Sequence, residues 1–512
     1  MNKIKRAIVS VYNKKNLKKL LICLKKFNIE IISSGGTFRE IKKLGFSCIE
    51  VSQYTNNFEI LEGRVKTLHP KIYAGILNKR NSKKHNKEMK INKYDNIDLV
   101  IVNFYPFEEI LSNTSDQNKI IENIDIGGPT MVRAAAKNYK DVTVITSDTQ
   151  YDELIENIKF NKGKTSLEFR KKMSLEAFSE TSYYDSLISN YFCNISNEKF
   201  PKKKVIGLKR LEKLRYGENP HQKATVYKFL KNFNLEKLGG KDLSYNNYSD
   251  IFSALKISRS LPRNIGTVIV KHGNPCGVSI HKEKVKSFKL AFNSDPTSAF
   301  GGIVSCNFKI NEKIAKEINK IFFEVVVGNG FENKALKILK KKKNLRIIDS
   351  SKVEKFNDLK FFSNGEAVLL QTTDENKFET QNFKVVSKTK PNSKTLKNLI
   401  FAFNICRFVK SNAIVITQNE TTIGIGSGQP SRLDSCELAI NKMNKFHKLK
   451  NEEILAASDA FFPFIDGVEK LVQAGVTGII QPYGSIRDKE IIDFANKTKT
   501  VLVFSKTRHF NH

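Results

Sequence analysis

The sequence predicts an α/β protein whose first part is a parallel sheet with helices on both faces, and three observations carry that expectation. Apolar strand-like runs alternate with amphipathic helical stretches through residues 1–150. A glycine-rich turn, Ser33-Ser34-Gly35-Gly36-Thr37, stands between a strand-like run and a helical one, the handover at which free N–H groups converge on an anion. The chain is 512 residues long, which at about 150 residues per domain is enough for several cores.

The elements follow in order. Arg6–Val11 reads as the first strand, and Leu17, Leu20, Leu21, Leu24 and Phe27 mark one face of the first helix. Glu30–Ile32 is the next strand, leading into the glycine turn, and further strand-like runs stand at Cys48–Val51, Leu99–Phe104 and Val142–Ile145. Ligands of such a sheet sit beyond the carboxyl ends of its strands, where Ser33–Thr37 and the motif Asn103–Phe107 fall. Thr165 with Glu168 forms a capping box, and Met173, Ala177, Tyr184, Ile188 and Tyr191 then recur at helical steps, predicting one long helix over about 165–192. The polar, basic stretch Asn194–Lys204, interrupted by Pro201, marks the main boundary. It separates a first domain, 1–198, from a C-terminal region, 199–512, with subdomains of about 205–360 and 365–512. The last stretch is clearest: helix Gly467–Gln473, strand Gly478–Ile480, helix Asp488–Asn496, strand Val501–Phe504. No sequence repeat links the two C-terminal halves.

Formal charge is +35, from 87 Lys and Arg against 52 Asp and Glu, which raises a nucleic-acid partner as a possibility. The lysines are scattered, however, and the one tight block, Lys340–Lys343, lacks the interleaved aromatics that stack bases. Compositional drift explains the excess more simply, and the field still favours encounters with phosphates and polycarboxylates. Seven widely spaced cysteines without a CxxC pair point to reduced thiols in a cytoplasmic compartment, without disulfides or structural zinc. The basic N-terminus has too short an apolar stretch for a secretory signal, and no run has the length of a membrane span, so no membrane partner is expected.

Glu62–Lys71, EGRVKTLHPK, packs an arginine, two lysines and a histidine around a glycine and a proline. Charge runs are usually solvated surface, but the nearby glycine turn favours an anion site. With NFYPF at Asn103–Phe107 and DIGGPTMVRAAAKN at Asp125–Asn138, these segments resemble the inosine monophosphate (IMP) cyclohydrolase domain of a bifunctional purine-biosynthesis family, a methylglyoxal-synthase-like fold. The rest of the chain resembles the partner activity, aminoimidazole carboxamide ribonucleotide (AICAR) transformylase. The motifs are LRYGENPHQ (Leu214–Gln222), KDLSYNN (Lys241–Asn247), KHGNPCGVS (Lys271–Ser279), DPTSAFGG (Asp295–Gly302), SNAI (Ser411–Ile414), GIGSGQPSR (Gly424–Arg432), SDAFFPF (Ser458–Phe464) and RHF (Arg508–Phe510).

The resemblance implies two cytidine-deaminase-like α/β subdomains, 10-formyltetrahydrofolate as co-substrate, the small molecules AICAR, its formylated product FAICAR and IMP, and a homodimer with shared transferase sites. Zinc is not expected: Asn274 stands where a deaminase needs its glutamate, and Cys276 has no second cysteine three residues on. Lys271 and His272 follow an apolar strand and precede GNPCG, read as the turn that presents them. An ammonium beside an imidazole disfavours double protonation, which suits proton transfer near neutrality. By family position His272 is the proton acceptor, Lys271 supports it and assists the folate leaving nitrogen, and Asn412 orients the formyl oxygen. Arg215 and Tyr216 grip phosphate and carboxamide, Arg508 adds an anion contact, and Phe461 and Pro463 supply apolar walls. In the first domain Lys66 stabilises the developing oxyanion, Tyr105, Asp125 and Lys137 handle protons, and Ser10, Ser34, Gly36, Thr37, Arg64 and Thr67 form the phosphate site. The chain departs from the family at SVYNK (Ser10–Lys14), EVSQYTNNFE (Glu50–Glu59), Tyr73 and the tail SKTRHFNH, losing two carboxylates and a glycine near the nucleotide loop. Two rival readings stay open on the residues alone: a phosphate lyase fused to an inactive deaminase-like domain, and a basic nucleic-acid-binding protein.

Overall fold

The computed structural model describes residues 3–229, 234–353, 359–375, 378, 380–448 and 452–512. The chain divides into two compact units, essentially Met1–Lys209 and Arg210–His512.

In the first unit the strands β1 (Arg6–Val11), β2 (Glu30–Ser33), β3 (Ile49–Glu50), β4 (Leu99–Asn103) and β5 (Thr143–Ile145) form a parallel sheet in the order β3-β2-β1-β4-β5. β1 and β4 are almost wholly buried and read as near-continuous apolar runs, as parallel strands covered on both faces must. The helices that matter for the site are α1 (Leu17–Lys26), α2 (Gly35–Lys43), α3 (Gly127–Lys137) and α4 (Leu167–Ile195). Two expectations are corrected. The run Cys48–Val51 pairs only at Ile49 and Glu50, because Val51 buries its side chain as the first residue of the helical turn Val51–Thr55. The long helix is capped by Ser166, whose hydroxyl accepts the Phe169 N–H at 3.1 Å, not by Thr165. The Thr165 hydroxyl instead lies 2.7 Å from that of Thr143, tying the helix entry to β5. Phe107, Ile120, Tyr184, Leu187 and Tyr191 form a small second core between α4 and the segment after β4. Burial of Phe107 there leaves Tyr105, two residues earlier, half exposed at the sheet's carboxyl edge.

In the second unit twelve strands form one sheet among the described residues. The first half contributes β6 (Glu236–Gly239), helix α5 (Tyr245–Ser260), the hairpin β7 (Gly266–Lys271) and β8 (Asn274–Ile280), helix α6 (Lys284–Ser294), then β9 (Ile303–Cys306), β10 (Val325–Gly328) and β11 (Arg346–Asp349). The second half repeats that plan: β12 (Phe383–Val385), helix α7 (Ser393–Cys406), the hairpin β13 (Ile414–Gln418) and β14 (Thr421–Gly426), helix α8 (Arg432–Phe446), then β15 (Ile454–Ser458), β16 (Val476–Pro482) and β17 (Val501–Ser505). The spatial order is β12-β17-β16-β15-β13-β14-β8-β7-β9-β10-β11-β6, so two copies of one topology meet back to back at β14 and β8. Parallel and antiparallel neighbours match pair for pair in the two halves. Both hairpins seat a helix directly on their second strand, and glycine permits it: a Cβ on Gly277 would lie 1.9 Å from Ala291 O, and one on Gly426 1.9 Å from Ser435 O. At the seam the ladder pairs Ser279 with Thr421, whose buried hydroxyls are 2.9 Å apart, while Thr422 Oγ1 lies 2.8 Å from Ser294 Oγ and accepts the Val278 N–H at 2.9 Å.

The stretch expected as a turn, GNPCG, is mostly strand. The turn is His272-Gly273, both with positive φ (54° and 73°), and β8 begins at Asn274.

Candidate functional sites

A cavity of about 650 Å³ opens at the carboxyl ends of β1, β2 and β4. Two helices begin at it, α2 at Gly35 and α3 at Gly127. The first-turn N–H groups of a helix have no acceptor within it, and its N-terminus carries roughly half a positive charge, so two such ends make an anion cradle. Neither N-cap residue, Ser34 or Ile126, caps its helix with a side chain, and both residues line the cavity. Thr37 also lines it, and its buried hydroxyl accepts the Val11 N–H at 3.0 Å and donates to Val11 O at 2.9 Å, stapling α2 to β1. Asn103 holds the loop after β1 in place through the N–H groups of Tyr12 (2.6 Å) and Asn13 (3.1 Å).

Two cations of EGRVKTLHPK, Arg64 and Lys66, reach the same cavity, each resting on a carboxylate, while Lys71 lies over the Tyr54 ring at 4.6 Å. Lys66 Nζ is 2.9 Å from Glu59 Oε2, and Arg64 makes a two-point pair with Glu122, whose carboxyl it holds below the usual range. Such solvent-screened pairs add little to stability, so a phosphate can replace the carboxylates at little cost. Ser10 and Thr67 complete the wall, with the Tyr105 ring edge-on to Tyr12 at 5.7 Å.

Asp125 sits at the mouth of α3. Its Oδ1 accepts the Gly128 N–H at 2.9 Å, and its own N–H donates to Tyr184 Oη on α4 at 2.8 Å. A Cβ at position 128 would fall 2.4 Å from Asp125 Oδ2, so any side chain there would push the carboxyl out of this place. Burial pushes the Asp125 carboxyl above its ordinary value, opposed by bonds from the Gly128 and Tyr105 backbone. A carboxyl whose folded pKa is raised contributes stability below its unfolded pKa and loses it as pH rises through the folded pKa. Asp125→Asn, which keeps the acceptor for Gly128, should therefore melt higher than the unsubstituted protein at neutral pH and equally in acid. Calorimetry across pH checks this, and a lower melting point at neutrality refutes it.

Lys137 does not join these residues. It is the last residue of α3, about 15 Å along the axis from Gly127 at 1.5 Å per residue, and lines a separate depression with Arg133, Tyr73 and Phe178.

In the second unit Lys271 ends β7, its Nζ donating to Phe300 O at 2.9 Å, and the His272 side chain is exposed in the hairpin turn. Asn274 Oδ1 accepts the Lys410 N–H at 3.0 Å and so brings this hairpin beside Ser411-Asn412. Asn412 departs from expectation. Its Nδ2 donates to Gln429 O and Pro430 O, both at 2.9 Å, and its Oδ1 accepts from Arg432 at 2.7 Å, leaving no side-chain N–H for a formyl oxygen. The amide instead fixes the GQP turn over a buried Arg432–Asp459 ion pair, which Ser411 Oγ joins at 2.6 Å from Asp459 Oδ2. Arg508 is exposed over the Phe510 ring at 4.7 Å, and Arg215 over Tyr216 at 5.1 Å. Phe461 is half-buried and Pro463 exposed, while Phe462 between them belongs to the core. Sequence reading passed over Glu59, Glu122, Arg432 and Asp459. The last two lie inside the transferase motifs and Glu59 ends the departing stretch Glu50–Glu59, but no local signal marks Glu59 or Glu122 as the partner of a cation.

No group of three or more His, Cys, Asp or Glu among the described residues is placed to hold a metal, and none of their helices is long and apolar enough to cross a membrane.

Two family models match the chain, an MGS-like domain over residues 16–130 and the AICARFT/IMPCHase bienzyme over 135–442. Proteins named bifunctional purine biosynthesis protein PurH are similar throughout. That of Caldicellulosiruptor saccharolyticus is 44% identical, covering 99% of this chain and 100% of its own. Those of Aquifex aeolicus and Leptospira biflexa are 42% and 43% identical, over 99% and 100% of this chain and all of theirs.

Proposed function

We propose residue roles from one premise: this chain belongs to the AICARFT/IMPCHase bienzyme family, and so formylates AICAR and closes the product to IMP in purine biosynthesis. The observation that carries the assignment of the cyclisation site is the cavity where two helix N-termini, Lys66 and the half-buried Asp125 carboxyl converge. The nucleotide phosphate would take the N–H groups at the start of α2 with Ser34, Gly36 and Thr67, displacing Glu59 and Glu122 from Lys66 and Arg64. The carboxamide nitrogen of FAICAR then attacks its formyl carbon, the formyl C–O bond breaks, and the oxygen leaves as water. Proximity comes with the substrate. The protein's share is charge and proton management: Lys66 for the developing oxyanion, Asp125 with Tyr105 for the proton delivered to the leaving oxygen.

For formyl transfer the donor is 10-formyltetrahydrofolate. The 5-amino nitrogen attacks the formyl carbon, His272 takes the amine proton, and the bond to folate N10 breaks with Lys271 assisting the leaving nitrogen. The exposure of His272, Arg215 and Arg508 fits a homodimer in which a second subunit helps cover the transferase site. A cytoplasmic enzyme acting on small molecules, with neither metal nor nucleic acid, suffices for both steps. Incubating the protein with AICAR and the formyl donor while following IMP tests the whole assignment.

The two steps should also be separable. Asn190 Nδ2 donates to Val205 O at 3.2 Å, so the end of the first unit packs on α4, and a cut belongs after Lys209. The fragment 1–209 should cyclise supplied FAICAR at a rate comparable to the full chain. A folded but inert fragment contradicts this.

A further inference from the structure

We propose that Asp250 is a positioning residue for formyl transfer, holding the Lys271-His272 hairpin turn in the backbone conformation that aims the imidazole. The proposal rests on the role of His272 given above. Asp250 lies on α5, and its two carboxylate oxygens accept the two N–H groups of the turn, His272 N at 3.1 Å and Gly273 N at 2.7 Å. His272 has φ 54°, in the left-handed region that side chains other than glycine's disfavour. The turn therefore needs an external partner to stay as it is.

The doubled fold supplies an internal comparison. In the second half the matching hairpin turn is Asn419-Glu420, again with two positive φ values, 49° and 54°. The matching helix α7 presents Asn398 at the corresponding position, five residues beyond the helix start as Asp250 is (245 to 250, 393 to 398). Asn398 Oδ1 accepts a single turn N–H, Glu420 N, at 3.1 Å. A neutral amide with one bond thus suffices to build this turn. The half whose turn carries Lys271 and His272 has a carboxylate with two. What the second bond adds is restraint at the residue bearing the imidazole, since it falls on His272 itself. The opposite side of the hairpin is tethered as well, by Lys271 Nζ to Phe300 O and by Asn274 to Lys410.

Asp250→Asn reproduces the arrangement of the second half: one N–H keeps its acceptor and the other meets an NH2 donor. Formyl transfer should fall about 10- to 100-fold in kcat, the scale of a misplacement of about 1 Å. The KM for AICAR should change less than about threefold and cyclisation of supplied FAICAR not at all. Asp250→Glu, with both acceptors on one further methylene, should recover part of the loss, and it keeps the test available if the Asn variant folds poorly. In the background of His272→Ala, Asp250→Asn should cost nothing more, because a residue acting through His272 has nothing left to position. Full additivity in the double variant, an effect confined to KM, or a Glu variant no better than Asn would overturn the proposal while leaving His272 as the base. Near-normal formylation by His272→Ala alone would instead remove the reading on which it rests.

Discussion

His272→Ala should slow formyl transfer by about 10² to 10⁴, the usual cost of losing a general base, and leave the second reaction untouched. The AICAR amine is conjugated with its ring and carboxamide and is a weak nucleophile, so the step depends on proton removal. The imidazole is exposed on the hairpin turn and buries no core surface, so its removal opens no cavity. AICAR affinity should change little, since Arg215, Tyr216 and Arg508 stand on other segments. Rates with AICAR and formyl donor, measured beside rates with supplied FAICAR, separate the two steps. Chelator added to the unsubstituted protein should change neither, because the roles proposed for Lys271, His272, Lys66 and Asp125 draw on no metal. A His272 variant that formylates at near-normal rate, or a protein silenced by chelator, contradicts the mechanism.

Lys66→Ala should remove most of the cyclisation while formylation continues, so FAICAR accumulates where IMP formed before. Loss of one preorganised oxyanion partner costs about 10² to 10³ in rate, and Lys66 lines the anion cavity beside the start of α2, its Nζ 3.6 Å from where a Cβ of Gly35 would stand. The variant should fold, because the Lys66–Glu59 pair it breaks is open to solvent. Chromatography of the product mixture distinguishes the outcomes: equal loss of both steps in a folded variant would mean that the two reactions do not have separate sites.

The first unit was largely legible because its signals are local. The buried runs of β1 and β4, the apolar face of α1 and the glycines before α2 each announce an element within a few residues. Structure and expectation part where a tertiary partner decides. Ile49–Glu50 is short because it is an edge strand with a helical turn immediately after it, and Thr165 yields the cap to Ser166 because Thr143 claims its hydroxyl. Lys137 shares a motif with Asp125, yet helix rise carries it to another surface. Asn412 is spoken for by Arg432, which comes from 20 positions further along the chain. The duplication in the second unit left no trace in sequence because topology, not residue identity, was kept: Lys271-His272 corresponds to Gln418-Asn419, and Asp250 to Asn398.

Where β8 meets β14, two strands that would be free edges of two half-sheets are joined by a backbone bond from Ile280 N–H to Glu420 O at 3.1 Å and by a set of buried hydroxyls. Apolar surfaces slide past one another with little penalty, whereas Ser279, Thr421, Thr422 and Ser294 find their partners in one alignment only. Displaced by a single residue, the seam would leave buried hydroxyls facing Val278 or Ile280, each unpaired group costing about 1–3 kcal/mol. The junction thus works as a registration key: it contributes little cohesion of its own, but it sets the hairpin of Lys271 and His272 at one fixed offset from the segment of Ser411 and Asn412.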